Sequence, residues 1–258
     1  MRIFLKIAYD GTNYHGFQCQ NNANSVQDTV NAALSDLFKK EMKTIGASRT
    51  DTGVHAHGNV AVFDVDTRIE PSRIAFAVNA RLPMDIRIVE SRRVPDDFHP
   101  RYTTTIKTYS YHILNRTHPD PLFRNLETHC YYPLDEKAMN EAASFLVGEH
   151  DFLSFCAAGN SSATTIRTIY SAEVARTGDR LTFTITGNGF LYNMVRIIAG
   201  TLMEVGQGFY PPSHMREIIE ARDRKAAGPT ALAKGLVLER IEYPDLTSSD
   251  DKCMMTKN

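Results

Sequence analysis

The chain has 258 residues, enough to bury a sizeable core as one large domain or as two modest ones sharing it. With 29 Lys and Arg against 30 Asp and Glu the net charge is −1, so no whole-protein field announces nucleic acid or membrane, and any basic surface must be local. Cys19, Cys130, Cys156 and Cys253 lack the short paired spacing of a zinc knuckle or disulfide framework, which favours a reducing, cytoplasmic setting.

Ile3, Leu5 and Ile7 alternate with Arg2, Phe4 and Lys6, predicting a first strand that ends in the turn Tyr9-Asp10-Gly11-Thr12. Its start shows neither a long apolar segment nor a cleavage site, so no leader is expected, and no stretch approaches the roughly 20 apolar residues that span a bilayer. Ser25, with Asp28 three residues on, resembles a capping box for a helix striped by Val26, Val30, Ala33, Leu34, Leu37 and Phe38. That stripe needs a sheet to cover. Residues 44–47 and 59–65 predict two strands, 71–80 a second short helix, and Ile86, Ile88 and Val89 another strand. The order β-α-β-β-α-β is that of a ferredoxin-like split unit.

The run Val94-Pro95-Asp96-Asp97-Phe98-His99-Pro100 breaks the pattern and sets a boundary between 1–98 and 99–244. The second half echoes the first: a strand over 105–114, then a helix over 134–147 with Ala138, Ala142, Phe145 and Leu146 inward. Strands 170–174 and 181–185 follow, then helices over 188–206 and 213–221 and a closing strand over 236–241. The expected fold is α+β: two ferredoxin-like (RRM-like) halves joined into one extended, mostly antiparallel sheet with helices on one face. Residues 245–258 are polar and unpatterned, and are expected to fray.

Within Gly46 to Gly58, reading Gly-Ala-Ser-Arg-Thr-Asp-Thr-Gly-Val-His-Ala-His-Gly, Arg49 and Asp51 stand two residues apart on a glycine-rich turn. Asp-x-Gly is a common turn sequence; the same stretch also suits a rigid loop presenting a carboxylate and a guanidinium together. His55 and His57 raise a metal site, but no further ligand cluster follows and strand-edge packing explains them as well. Asp51-Thr52-Gly53 matches the aspartic proteases, which need a second aspartate to share one proton, and this chain has a single copy beside a fixed positive charge.

The helix after Phe190 is apolar on both faces and therefore mostly buried, so Arg196 needs an acidic partner or a route to water. If the partner is Asp51, the pair orients the carboxylate and favours its ionised form. Tyr109 and Tyr111 share one strand face with Lys107, either as sheet packing or as a platform for a base. Phe98-His99-Pro100-Arg101-Tyr102 mixes aromatic and basic groups as RNA-contacting loops do. From Arg68 through Arg87, Arg101 and Arg116 cations outnumber anions locally, a pattern that a solvated surface also carries.

Taken together, several stretches resemble the tRNA pseudouridine synthase A (TruA) family. Tyr9-Asp10-Gly11-Thr12 with Tyr14, Gly16, Gln18 and Gln20, then Ser25-Val26-Gln27, are similar to its N-terminal signature, and Arg49-Thr50-Asp51-x-Gly53-Val54-His55-Ala56 to its catalytic motif. Phe98-His99-Pro100-Arg101, Tyr109-Ser110-Tyr111, His150-Asp151-Phe152, Met194-Val195-Arg196, Leu202-Met203-Glu204-Val205-Gly206 and Lys234-Gly235-Leu236 follow in the family's order. Phe17 departs from a common Trp and Pro100 from a common Ala. The resemblance implies isomerisation of uridine to pseudouridine at positions 38, 39 and 40 of the tRNA anticodon arm by a homodimer without cofactor or metal. It further implies Asp51 as the essential carboxylate, Tyr109 against the target base, Arg196 paired with the aspartate and Arg49 holding the displaced nucleotide. Phe98, His99 and Arg101 fall on an RNA-contacting loop of the family, with Arg68 and Arg116 near further backbone contacts.

Overall fold

A computed structural model describes residues 1–20, 23–159 and 162–246; most of the tail expected to fray, 247–258, lies outside the described residues. The N-terminal alternation forms β1 (Arg2–Tyr9), whose Ile3, Leu5 and Ile7 are wholly buried. Ser25 caps α1 (Val26–Phe38): its hydroxyl accepts the Asp28 amide at 3.1 Å and donates to the Asp28 carboxylate at 2.6 Å. β2 (Ile45–Gly46), β3 (His55–Asp64), α2 (Ile74–Asn79) and β4 (Ile86–Val94) complete the first half. β3 starts four residues before the expected strand, because neighbours pair with its polar His55–Gly58 end, which lacks the apolar alternation that marks a strand.

The second half contains β5 (Ile106–Asn115), β6 (Thr128–Cys130), α3 (Glu136–Ser144), β7 (Gly148–Asp151), β8 (Ile166–Thr177), β9 (Arg180–Gly187), α4 (Met194–Gly206), α5 (His214–Ala221) and β10 (Leu236–Glu242). β6 and β7 are too short and too polar to show a period of two, and sequence reading passes over them. α3 turns Met139, Ala142 and Ala143 fully inward, a face rotated from the expected one; Ala138 and Phe145 are half-buried. α4 begins six residues later than the apolar pattern suggests. Asn188 still pairs with Thr168 of β8, and Asn193 adopts the left-handed conformation (φ 60°) that turns the chain into the helix.

The strands form one sheet in the order β4-β1-β3-β10-β5-β9-β8-β7, with β2 on β3 and β6 on β5. Its pairs are antiparallel except β10 with β3 and β6 with β5. β10 is the seam: it lies between β3 from residues 1–98 and β5 from residues 99–244, meeting β3 through Val237–His55 and Leu238–Ala56. Register partners share a face, and the row Tyr9–Ala56–Leu238–Tyr109–Ile185 crosses the seam unbroken. Helices α1 to α4 cover this side: Phe38 of α1 meets Phe63, the Ala75 amide of α2 donates to Ser91, α3 packs on β8 and α4 on β5. The opposite side of the second half carries Thr108, Ser110, His112, Thr182, Thr184 and Thr186.

Candidate active site

Of the three glycines between Gly46 and Gly58, only Gly53 takes a positive φ (+76°) and makes the bend. Gly46 and Gly58 lie in strands and serve close approach: a Cβ on Gly46 would stand 2.3 Å from the Phe17 ring, and one on Gly58 2.8 Å from the Glu239 carbonyl. The turn is braced by residues 9–17. Gly53 donates its amide to the Tyr14 carbonyl (3.3 Å), Phe17 donates to the Thr50 carbonyl (3.2 Å), and the Tyr9 and Thr50 hydroxyls bond at 2.7 Å. Asn59, fully buried in β3, donates from Nδ2 to the Ser48 carbonyl (3.1 Å) and to the Tyr9 hydroxyl (3.2 Å). Residues 48–51 are thus held by groups that satisfy one another, so the Asp51 carboxylate is presented by a fixed backbone.

Arg196, on the first turn of α4, reaches across the seam and donates from Nη1 to Asp51 Oδ2 at 3.2 Å, with both side chains about four-fifths buried. It also donates from Nη1 to Asn193 Oδ1 and from Nε to the Ala231 carbonyl, each at 2.8 Å, while the Ala231 amide returns a bond to the Arg196 carbonyl. The left-handed Asn193 therefore both starts the helix and aims the arginine. Burial raises the Asp51 carboxyl above the ordinary aspartate range, and Arg196 offsets this only in part. The physical reason is geometric: the contact is single and long for an ion pair, and Arg196 divides its donors with two neutral oxygens. The sequence expectation that the arginine favours the ionised form holds for the direction of its effect, but burial has the larger one.

Tyr109 is buried between the two halves. Its ring meets Phe190 edge-on at 5.1 Å, and its hydroxyl is pushed up to about 12 by burial, opposed by a hydrogen bond with Ser48 and assisted by the Asp51 charge. Arg49 and Arg101 are exposed and, with Phe17, Gln27, Gly46 and Ser48, line a cavity of about 140 Å³ beside the turn, which Asp51, Tyr109 and Arg196 do not line. His99 stacks on Tyr102 at 4.1 Å, accepts the Arg101 and Tyr102 amides on Nδ1, and is kept below the usual imidazole range by burial and by Arg101. Phe98 faces inward, packed against Phe4 and Tyr243, so its ring anchors the loop from the core and is not offered to solvent.

Asp51, Tyr109 and Arg196 thus come together, while Arg49, two residues from Asp51 on the same turn, lines the neighbouring cavity with Arg101; Arg68 and Arg116 do not join them. Arg68 follows the far end of β3, roughly 30 Å of strand away from the turn. Arg116 follows β5 and faces Asp120 at 3.7 Å and Asp179 at 3.8 Å. Ser48, Asn59, Phe190 and Asn193 are site residues that sequence reading missed; an asparagine just ahead of an apolar helix was the one available signal. His55 is a buried strut, accepting the Gly11 amide on Nδ1 (3.0 Å) and facing the Asn125 carbonyl with Nε2 (2.9 Å), and His57 pairs with Glu239 (2.8 Å). Among the described residues no group of three or more His, Cys, Asp and Glu is arranged to hold a metal ion. A larger cavity, about 500 Å³, opens between His55, His57, Met84, His112, Phe123 and Leu126, and neither Asp51 nor Arg196 lines it. Among the described residues no helix is long and apolar enough to cross a membrane.

Comparison with known proteins bears on this constellation. A family model described as tRNA pseudouridine synthase matches residues 6–103 and 142–244, which include Asp51 and Arg196. A tRNA pseudouridine synthase A of Acetivibrio thermocellus is 48% identical over 241 residues, 93% of this chain and 99% of the relative. Proteins of the same name from Thermoanaerobacter sp. (strain X514) and Halalkalibacterium halodurans are each 45% identical, covering 93% of this chain and 99% and 91% of their own lengths. With a carboxylate and an arginine meeting across the seam of a two-part sheet, and relatives matched over nearly their whole length, the chain belongs to the tRNA pseudouridine synthase family.

Proposed function

We propose that the protein isomerises uridine to pseudouridine at positions 38, 39 and 40 of the tRNA anticodon arm, with Asp51 as the essential carboxylate. The observation that carries this reading is the convergence of Asp51, Arg196 and Tyr109 from opposite halves of the sheet onto one cleft. To re-attach uracil through carbon, the glycosidic bond must break, the base must turn, and a new bond must form without the base escaping. The target nucleotide must leave the stack at a cost of a few kcal/mol, which aromatic and arginine contacts offset. Tyr109 and Phe190 supply the aromatic wall, Arg49 holds the displaced nucleotide, and Asp51 acts on the sugar–base bond as the ionised carboxylate oriented by Arg196. Partial enclosure strengthens the Asp51–Arg196 attraction relative to water.

Around the cleft, Arg101 and His99 contact the RNA, with Phe98 anchoring their loop; Arg68 and Arg116 contact it further out. The enzyme works in the cytoplasm as a homodimer, and the distance from Arg68 to the cleft suits one tRNA lying across two subunits. Exposed Met84 and Leu122, with Phe123 and Leu126 beside the larger cavity, supply apolar surface for a second copy. Release of tritium from uridine-labelled tRNA tests the reading. Asp51→Asn is expected to abolish release while leaving tRNA affinity within about tenfold. Turnover retained by that variant would overturn it.

A further inference from the structure

The cleft holds more positive charge than its chemistry uses. Lys107 lies two residues before Tyr109 on the same face of β5, and its Nζ approaches the Ala47 carbonyl at 3.5 Å, directly under the turn that carries Arg49 and Asp51. Arg101 comes in from the loop before β5, where its Nη2 donates to the Gly46 carbonyl at 3.3 Å. Arg167 comes from β8, its Nη1 spent on the Thr164 and Ile166 carbonyls, with its Nε 3.6 Å from where a Cβ on Gly189 would stand, next to the Phe190 that packs on Tyr109. The register partners of Lys107, Ile241 of β10 and Gly187 of β9, bring no charge. Among the described residues, none of Arg49, Arg101, Lys107 and Arg167 has a carboxylate within 4.0 Å; the ion pair in the cleft is that of Arg196.

Lys107 is a largely desolvated cation with Arg101 and Arg167 for neighbours and no carboxylate beside it, and Arg101 and Lys107 approach the adjacent carbonyls of Gly46 and Ala47, an arrangement that an anion would stabilise. We propose that Lys107, with Arg101 and Arg167, forms a seat for a backbone phosphodiester flanking the displaced nucleotide, so that the phosphate is gripped behind the base that Tyr109 faces. This deepens the reading of the protein as a tRNA pseudouridine synthase and rests on it. The seat explains why the crowding is tolerated: the repulsion is present in the free protein and is relieved when RNA arrives. Burial, then Arg101 and Arg167, bring the Lys107 amine down to about 8. A phosphate favours the charged amine, so binding above that pH must draw in a proton, and affinity falls as the solution becomes more alkaline.

The test uses a fluorescein-labelled anticodon stem-loop RNA and the full-length protein, with affinity measured against salt and across pH 7 to 9.5. Lys107→Met is expected to weaken binding about tenfold, to reduce the slope of log affinity against log salt by about 0.7, and to remove the lysine's part of the alkaline loss. Lys107→Arg, which stays charged, is expected to keep the affinity and the salt slope while also losing that alkaline loss. Lys107→Met should not lower the thermal midpoint at pH 7, because it removes like-charge crowding. Wild-type affinity, salt slope and pH dependence in Lys107→Met would overturn the proposal, as would a loss of binding that tracks a loss of stability and is not restored by arginine. A wild-type protein that binds the RNA but releases no tritium sinks the functional reading instead; one that turns over while Lys107→Met binds normally sinks the seat alone.

Discussion

Two arginines of the second half, Arg180 at the start of β9 and Arg196 in α4, make opposite use of the same charge. Arg180 meets Glu127 through two bonds of 2.7 and 3.3 Å and Asp120 through a third of 2.9 Å, and it lies over the Phe123 ring at 4.7 Å. Glu127 is buried and fully answered, and the arginine's guanidinium is held above its ordinary range by that hydrogen bond. Arg196 meets Asp51 through one contact and spends two further donations on the neutral oxygens of Asn193 and Ala231, and the Asp51 carboxyl stays raised by burial. The first arrangement is saturated and holds structure together. The second is unsaturated, so the carboxylate keeps lone pairs free, as the chemistry proposed for Asp51 requires.

Three substitutions break or sharpen that contrast. Arg196→Met removes the one attraction that lowers the Asp51 pKa and should reduce kcat by about a hundredfold or more. It should also move the acid limb of the pH–rate profile. Because Asp51 sits above the aspartate range in the folded protein, activity that needs its ionised form is lost on acidification at a midpoint above that of free aspartate, and the variant's midpoint should be higher still. A limb that stays put would separate Arg196 from the titration. Arg180→Met leaves Glu127 buried without its partner and should cost about 2 kcal/mol in denaturant unfolding, with kcat retained well below the transition. An equal loss of kcat would erase the distinction between the two arginines. Tyr109→Phe, which keeps the ring against Phe190 and deletes only the hydroxyl bonded to Ser48, should change kcat/KM by no more than about fivefold. A much larger fall would give the hydroxyl a part in the chemistry.

Much of the fold could be read from the chain because local signals and tertiary needs agree. The Ser25 cap, the α1 stripe and the alternation of β1 each point to one structure. The readings that shifted lie where a neighbour overrides propensity. The His55–Gly58 start of β3 exists because β1 and β10 pair with it, and the delayed start of α4 exists because Asn188 is still paired to β8. The Asp51–Arg196 meeting was legible as a need, since a buried arginine requires a partner. Its incomplete compensation was not, because it depends on Asn193 and Ala231 competing for the same guanidinium. The basic rim was only half legible: Arg101 stands out in an aromatic loop, whereas Lys107 and Arg167 become neighbours through the β5–β9–β8 pairing.

The position of β10 also sets a schedule. About 180 residues separate the start of β3 from the start of the strand that joins it to β5. At about 5 to 20 residues per second of synthesis this interval lasts on the order of ten to forty seconds, during which the His55–Ala56 end of β3 lacks its β10 partner and Asp51 has no arginine facing it from a docked second half. The long-range closure is also the slowest kind of contact to make, because the intervening loop must be ordered first. A nascent chain therefore carries its carboxylate early but acquires a working cleft only when the last strand of the sheet slides into place, which couples the onset of activity to completion of the fold.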